Sequence, residues 1–369
     1  MSHAQVSTEQ ISTELPELGC YTLAGAPRDT RAVIEEVRTA EEMGLGSVFI
    51  SERFNVKEAA TLSGAVAAVS ERIGIATAAT NHNTRHPVLL GAFATTMHRF
   101  SGGRFTLGLG RGIDKLMGAL GMAPVTTAQL ADIAGLLRRL FRGEVIVGHD
   151  GPAGKYPLLV LDTTFDEHIP LGITAFGPNT LELAGQMFDA VVLHTFFTDE
   201  TLERCVRTVK TAAERAGRDP DSVRVWSCYA TIGDHLGEDL RLLKTVGRLA
   251  TYLQAYGDLM VRTNDWDPAA LERFRADPFV SSFRGALDQV ATTEQLEHVA
   301  TLIPPAWLEP AATGSATSCA RAVLGQFDLG ADGVILHGAS PTELAPVVAA
   351  YRELRPTGRF DHLAANPGA

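Results

Sequence analysis

The chain has 369 residues, of which 45% are hydrophobic, 20% charged and 7% aromatic, as in a soluble globular protein with a large buried core. Its formal net charge of −11, from 32 Lys and Arg against 43 Asp and Glu, gives no electrostatic reason to bind nucleic acid or an anionic membrane. No apolar run approaches the ~18 residues that a membrane span requires, and the first residues lack a signal-peptide pattern, so we expect a cytoplasmic protein.

Short apolar runs alternate with amphipathic helical runs along the chain. The apolar runs predict strands at 18–22, 47–51, 73–78, 104–109, 170–175, 190–193, 223–229 and 333–336. Continuous apolar strands of this kind are expected where both faces of a sheet are buried. Eight such strands joined by helical crossovers predict an α/β fold of the (β/α)8 TIM-like barrel type, with a doubly wound open sheet as the alternative.

Two longer connections interrupt this alternation. After the fourth strand the sequence predicts a helix at 126–142 and a small hairpin from 145–147 and 158–161, and after the seventh a mostly helical insertion at about 236–312. No composition break marks a domain boundary. We therefore expect one domain at 17–356, between a polar N-terminal tail at 1–16 and a C-terminal tail at 357–369.

Cysteine usage and signature motifs exclude several kinds of chemistry. The cysteines are far apart and form no CxxC pair, so we expect neither a disulfide framework nor a metal site: Cys20, Cys205, Cys228 and Cys319. A GxSxG nucleophile elbow and a Walker loop are missing, which disfavours nucleophilic and phosphoryl-transfer mechanisms.

Ionisable residues follow the second and third predicted strands, where a barrel carries its site. Glu52 is interpreted as a buried acid at the mouth, a hydrogen-bond acceptor or proton carrier; the alternative is an ion pair with Arg53 or a neighbouring arginine. His82 fits an acid–base or substrate-binding role better than zinc binding, because no third ligand is apparent. Its alternative is a surface imidazole.

Glycines follow the fourth and fifth predicted strands. The run at 108–112 has G-x-G-x-G spacing and lacks the dinucleotide-binding fingerprint, which requires G-x-G-x-x-G after a first strand. Gly110 and Gly112 would let a flat ligand ring lie against the backbone, or they serve a tight turn. Gly177 and Pro178 begin a helix whose free N–H groups can hold an anion or a cofactor edge, or are an ordinary helix start.

Three segments carry a family resemblance over most of the chain, from residue 18 to about 354. They are Arg85-His86-Pro87 followed by SGGRFTLGLG at 101–110, EEMGLGSVFIS at 41–51, and ITAFGP at 173–178 followed by Ala184-Gly185 and Asp189-Ala190. In this order they resemble the luciferase-like monooxygenase superfamily, in particular its branch of F420-dependent oxidoreductases.

This resemblance implies a homodimer of TIM-like barrels with a flavin-type cofactor across the carboxyl-terminal mouth. It implies a non-prolyl cis peptide near Thr77-Ala78, where the backbone, with Gly110, would form a wall against one face of the cofactor ring. The N–H of Gly177 and the side chain of Thr195 would hold the phosphate-bearing tail. Glu52 corresponds to the family's acidic position after the second strand.

The chain also departs from the family pattern. Arg53 stands where the glucose-6-phosphate dehydrogenase branch has a proton-transferring histidine, Ile113 where an acid is expected, and Thr198 where a lysine helps to hold phosphate. These departures make sugar-phosphate dehydrogenation an unlikely activity, so we expect another small organic substrate.

The leading functional prediction is hydride transfer between coenzyme F420 and an unidentified small organic molecule. The alternatives are an FMN-dependent luciferase-like monooxygenase and a non-catalytic barrel that binds F420. Two substitutions test the proposed roles. Glu52→Gln should reduce turnover more than cofactor affinity, and Gly110→Val should block cofactor binding by filling the space of the ring.

Overall fold

The structure, a computed structural model, describes residues 14–25, 27, 29–54 and 56–369. In this part of the chain the strands are β1 (Leu15–Tyr21), β2 (Leu45–Ile50), β3 (Gly74–Thr77), β4 (Phe105–Leu109), β5 (Ile146–Gly151), β6 (Gly154–Leu159), β7 (Leu171–Thr174), β8 (Ala190–Val192), β9 (Arg224–Gly233), β10 (Ala311–Gly314) and β11 (Gly333–His337).

Eight of these strands close into a parallel barrel. The order around the ring is β1-β2-β3-β4-β7-β8-β9-β11, and β11 pairs again with β1. β9 completes the ring: its first residues pair with β8, and Trp226 to Ala230 pair with β11. The predicted barrel is confirmed, and the open sheet is excluded. The remaining part of β9 pairs with β10, a short strand that the sequence analysis missed.

Helices cover the outside of the barrel and fill the two insertions. Their bounds are α1 (Ala32–Glu42), α2 (Ala59–Val69), α3 (Pro87–Phe100), α4 (Asp114–Ala119), α5 (Thr127–Leu140), α6 (Pro178–Met187), α7 (Asp199–Arg215), α8 (Glu238–Leu242), α9 (Arg248–Asn264), α10 (Pro268–Ala276), α11 (Pro278–Ser282), α12 (Leu287–Val290), α13 (Thr293–Ala300), α14 (Ala316–Asp328) and α15 (Pro341–Leu354). A π-helical turn at Leu243–Gly247 leads into α9. None of these helices is long and apolar enough to cross a bilayer.

Both predicted insertions are present. The first contains α5 and the antiparallel β5–β6 hairpin, in which Val147 pairs with Leu158. The second lies between β9 and β10, contains α8 to α13 and has its own apolar core around Leu253, Phe274 and Trp307. A separate cluster that includes Phe49, Trp226 and Ile335 packs among the barrel strands.

The last residues of the chain pack under the amino-terminal end of the barrel, in a segment (364–368) that we call the floor segment. The Arg224 guanidinium, near the start of β9, donates to the carbonyls of Ala364 and Asn366 at 2.9 and 3.2 Å and to that of Pro16. Trp226 Nε1 donates to the carbonyl of Pro367 at 2.8 Å. Burial lowers the pKa of Arg224 to about 10. These contacts join both ends of the described chain to the barrel.

The floor segment corrects the expectation of a C-terminal tail at 357–369, because Ala365 to Gly368 are buried. Gly74 shows how closely it approaches: a Cβ there would lie 2.0 Å from the carbonyl oxygen of Ala365. At the other end, β1 begins at Leu15, inside the predicted polar tail at 1–16. Residues 1–13 of that tail lie outside the described residues.

Candidate active site

The loop after β3 contains the backbone feature that the sequence analysis expected, one residue later than predicted. The non-prolyl cis peptide joins Ala78 to Ala79, and not Thr77 to Ala78. The Thr77 hydroxyl is held between the strands: it donates to the carbonyl of Gly108 and accepts from the amide of Gly108, both at 2.8 Å. Thr77 thus fixes β3 against β4, and the backbone that turns toward the mouth is at Ala78–Ala79.

Glu52, after β2, lies in an ion pair with Arg85. Its side chain is 1% exposed; one oxygen accepts from Arg85 Nη2 at 3.0 Å and from the Thr80 hydroxyl at 2.8 Å. The other oxygen accepts from the amide of Ala59, the first residue of α2, at 3.0 Å. Of the two interpretations made from the sequence, the structure displays the pair with a neighbouring arginine, and that arginine is not Arg53.

This arrangement predicts a stability difference between the two carboxylates that share Arg85. Glu52→Gln leaves the buried side of the guanidinium without its charge partner and should lower the free energy of unfolding by about 2–3 kcal/mol. Glu58, the N-cap of α2, also pairs with Arg85 but is 43% exposed. Glu58→Gln is therefore the matched control, with an expected loss below about 1 kcal/mol. If urea unfolding shows equal losses of unfolding free energy in Glu52→Gln and Glu58→Gln, Glu52 is not the more important partner of Arg85.

Arg53 and Lys57 hold the loop after β1. Arg53 donates to the carbonyl of Gly25. The buried ammonium of Lys57 donates to the carbonyls of Thr22 and Leu23 at 2.8 and 3.1 Å, and burial with the nearby Arg53 charge lowers its pKa to about 8. Leu23, in turn, donates its amide to Glu36 at 2.6 Å. Arg53 thus lies at the mouth, but its contact in this structure is to backbone.

His82 and Asn83 occupy a short 3-10 turn after β3 and carry unsatisfied polar atoms. Among the described residues, Nε2 of His82 and both amide atoms of Asn83 are buried without a hydrogen-bond partner. Burial lowers the pKa of His82 below its usual value, so the imidazole is neutral at physiological pH. The loop is held in place by Asn81, whose amide donates to the carbonyl of Gly110 at 2.9 Å.

The two predicted ring-binding glycines have different surroundings. A Cβ on Gly110 would lie 2.8 Å from the Thr174 hydroxyl and 2.9 Å from Cβ of Ala79. Gly110 therefore lies beside the cis peptide, between β4 and β7. A Cβ on Gly112 would meet Met117 of α4 at 2.2 Å, and Gly112 has a φ of +77°. Gly112 is thus constrained by its turn and by a side chain that covers it.

The amino-terminal end of α6 is open and lies beside a cation. Gly177 is its N-cap, Pro178 is its first residue, and a Cβ on Gly177 would meet nothing within 4 Å. Arg111 donates to the Thr180 hydroxyl in the first turn at 3.1 Å and to Thr127 at 2.6 Å. The helix dipole and this guanidinium together favour an anion at this end of α6.

Thr195 and His194, after β8, lie deeper in the mouth. The Thr195 hydroxyl is buried and contacts Cys228 Sγ at 3.2 Å, so it faces the barrel interior and not the start of α6. His194 is partly exposed. Its Nδ1 lies 2.9 Å from the carbonyl oxygen of Thr195, and its Nε2 lies 2.8 Å from the hydroxyl of Tyr256.

Helix α9 of the second insertion presents one face to these residues. Arg248, Tyr252 and Tyr256 are four residues apart and therefore lie along one side of the helix. The Tyr252 hydroxyl is 3.5 Å from Nε2 of His337, at the end of β11, and Arg248 pairs with buried Asp288 at 2.7 Å. The helical path breaks at Tyr256, where φ is −154° and ψ is 39°.

The four rings at the mouth are all neutral at physiological pH. Burial lowers the pKa of His194 to about 4, and it lowers the pKa of His337 well below its usual value with help from the Arg248 charge. Burial raises the pKa of Tyr252 and places that of Tyr256 well above its usual value. The arrangement offers hydrogen-bond donors and acceptors in an apolar surrounding, with cationic Arg248 held by Asp288.

The sequence did not identify four of these residues as site residues: His194, His337, Tyr252 and Tyr256. The histidines directly follow predicted strands, which was a usable signal. The tyrosines lie in the insertion, where the four-residue spacing from Arg248 to Tyr256 marks one helix face. That spacing does not indicate which surface the helix face covers, because the packing partner of the helix is known only from the three-dimensional fold.

The chain is similar in sequence to known proteins. A family model described as luciferase-like monooxygenase matches residues 13–332. The chain is 27% identical over 240 residues to the 5,10-methylenetetrahydromethanopterin reductase of Methanolobus tindarius, covering 63% of this chain and 71% of that protein. It is 27% identical over 180 residues to the F420-dependent glucose-6-phosphate dehydrogenase of Beutenbergia cavernae, covering 45% of this chain and 52% of that protein.

A solved structure has the same fold over nearly the whole chain. It is the coenzyme F420 dependent tetrahydromethanopterin reductase from Methanopyrus kandleri, with a TM-score of 0.77 and 16% identity, covering 94% of this chain and 100% of that one.

Proposed function

The chain belongs to the luciferase-like monooxygenase family, and from this membership we infer that it is an oxidoreductase that transfers a hydride between coenzyme F420 and a small organic substrate. The choice of F420 is supported by the F420-dependent dehydrogenase among its sequence relatives. The matched region covers only about half of that relative, so cofactor and activity are both part of the proposal.

One observation carries the proposal: several buried polar atoms without partners lie in the loops at the carboxyl end of the barrel. Within the described residues they include Thr22 Oγ1 after β1, His82 Nε2 and the Asn83 amide after β3, and His337 Nδ1 at the end of β11. Unpaired buried polar atoms are rare in folded proteins because each costs about 1–3 kcal/mol. A polar ligand seated at the mouth would satisfy them.

The residues present also fit the distinct parts of a deazaflavin. The backbone at Ala78–Ala79 and Gly110 would lie against the ring, and the open start of α6 with Arg111 would hold the phosphate of the tail. When bound, the cofactor supplies a two-electron hydride acceptor or donor. The chain itself supplies orientation, exclusion of water and proton exchange.

A glycine substitution tests the tail site. Gly177→Val places a branched side chain into the open space at the start of α6 and should weaken F420 binding at least about tenfold, because it blocks the approach of an anion to the helix end. Gly237→Val is the matched control, since Gly237 is also a helix N-cap with nothing within 4 Å of its Cβ position. Both variants should retain wild-type stability. If the two variants bind F420 with equal affinity in a fluorescence titration, the phosphate-bearing tail of the cofactor binds elsewhere.

Titration of the protein with F420 and, separately, with FMN identifies which cofactor it binds. We expect saturable quenching of F420 fluorescence and weaker binding of FMN. Tight binding of FMN without F420 binding would favour the monooxygenase alternative. F420 binding without hydride transfer in either direction, over a broad set of alcohols and carbonyl compounds, would favour a non-catalytic cofactor-binding barrel.

We further propose a cytoplasmic homodimer. The described cysteines are all buried thiols, which agrees with a reducing compartment. Light scattering at micromolar protein concentration measures the oligomeric state, and a mass of one chain would reject the dimer.

A further inference from the structure

The hydrogen bonds of His194 have a defined direction. A carbonyl oxygen only accepts, so Nδ1 of His194, 2.9 Å from the carbonyl of Thr195, must carry the ring proton. In the neutral imidazole Nε2 is then an acceptor, and the Tyr256 hydroxyl at 2.8 Å donates to it. The phenol oxygen still has lone pairs that can accept a hydrogen bond from a bound molecule.

We propose that Tyr256 and His194 form the proton-accepting pair of this site, and that the chain therefore oxidises substrates bearing a hydroxyl group. The inference rests on the proposed function for its hydride acceptor. Because Nδ1–H is fixed on a carbonyl, the pair is arranged to take a proton from a molecule at Tyr256 and pass the phenol's own proton to His194.

Two other ionisable candidates at the mouth are already engaged, whereas Nε2 of His82 is buried without a partner among the described residues. Glu52 is held by Arg85, Thr80 and the amide of Ala59, and Arg53 by the carbonyl of Gly25. His337 is approached by the Tyr252 hydroxyl at 3.5 Å, too long for efficient proton transfer in the arrangement described. The pair of Tyr256 and His194 has a hydrogen bond of ordinary length.

The step balances in atoms and electrons. The C–H bond of the carbinol carbon breaks, and its hydrogen leaves with the electron pair as hydride to the deazaflavin. The O–H bond breaks, its electron pair forms the second bond of the new carbonyl, and its proton goes to the Tyr256 oxygen. The phenol's original proton goes to Nε2 of His194, which becomes an imidazolium and later releases the proton to solvent.

The environment of His194 sets its pH dependence. Because burial lowers its pKa to about 4, Nε2 is unprotonated over the whole neutral range, and the acid limb of kcat/KM should lie near pH 4, below the usual range of a histidine. The titratable and charged groups around it come from several elements: Tyr252, Tyr256 and Arg248 on α9, Asp288 paired with Arg248, Cys228 on β9 and His337 on β11.

The first test needs no substrate. ¹⁵N NMR of the protein with labelled histidines, recorded with and without F420 and with His194 assigned by the signals lost in His194→Gln, should show His194 protonated on Nδ1 and unprotonated on Nε2 from pH 5 to 9. Tyr256→Phe should shift the Nε2 resonance, and Tyr156→Phe, on the β6 strand, should not. A proton on Nε2, or an imidazolium at pH 7, would overturn the proposal.

The second test measures turnover in both directions, with secondary alcohols such as propan-2-ol and F420, and with the matching ketones and reduced F420. We expect faster alcohol oxidation at pH 7, a fall in kcat of about 100-fold or more in Tyr256→Phe, and unchanged F420 affinity. Ketone reduction that is faster than oxidation, or full activity in Tyr256→Phe, would refute the pair. Failure of the wild type to bind F420 refutes the proposed function, while the NMR result still decides the pair.

Discussion

Deletion of residues 364–369 is expected to lower the free energy of unfolding by about 5 kcal/mol and the Tm by about 6 °C. The deletion removes the carbonyls that accept from Arg224, Trp226 and Ser47, and it leaves the Arg224 charge buried without those partners. It also removes the Asn366 side chain, which bonds Thr106 at 2.5 Å and the carbonyl of Gly103 at 2.7 Å. Differential scanning calorimetry and urea unfolding measure both quantities.

Two controls separate the floor segment from a general effect of shortening the chain. Removal of Ala369 alone should change little, because that residue is exposed. Arg224→Met should destabilise the full chain but recover part of the loss in the truncated chain, since it removes the unpaired charge. If the free energy of unfolding of the truncated chain lies within about 1 kcal/mol of wild type, the floor segment contributes little to stability.

Gly110→Val is expected to abolish F420 binding and to reduce stability by about 1–3 kcal/mol. The loss of binding follows from the position of Gly110 beside the Ala78–Ala79 peptide, where the ring is proposed to lie. The loss of stability follows from crowding, because even a Cβ would lie 2.8 Å from the Thr174 hydroxyl and 2.9 Å from the Ala79 methyl group. Fluorescence titration and urea unfolding report the two effects separately.

The double variant Gly110→Val/Thr174→Ala distinguishes crowding from blockage of the ring site. Removal of the Thr174 hydroxyl makes room for part of the valine and should restore stability, while the blocked ring site should keep F420 from binding. Thr174→Ala alone should bind normally. If the double variant binds F420, Gly110 is needed only for packing between β4 and β7.

The barrel could be predicted from the sequence because each strand is a continuous apolar run and each crossover helix has a regular apolar face. Helix ends also have local signals: Ser340 and Glu343, three residues apart, form the capping box at the start of the last helix. The sequence did not reveal β10 or the floor segment. Both are defined by partners more than 75 residues away along the chain, and short segments such as 311–314 have no distinctive periodicity.

The candidate site was less predictable than the fold. The sequence located Glu52 at the mouth, but its partner Arg85 comes from another loop, so the choice between acid and ion pair required coordinates. The position of the cis peptide was missed by one residue. The sequence did not identify His194 as a site residue, because its proposed role depends on Tyr256, 62 positions later, and on the tautomer fixed by a backbone carbonyl. Such pairings are set by tertiary packing.

The floor segment has a consequence for how the chain is made. Its contacts join residues separated by 140 to 318 positions, so they form only after residues 364–368 have left the ribosome. Contacts between such distant residues are slow to form because long loops must close first. We therefore expect a nascent chain stalled before residue 364 to expose the amino-terminal opening of its barrel to chaperones and proteases until the floor segment has been synthesised.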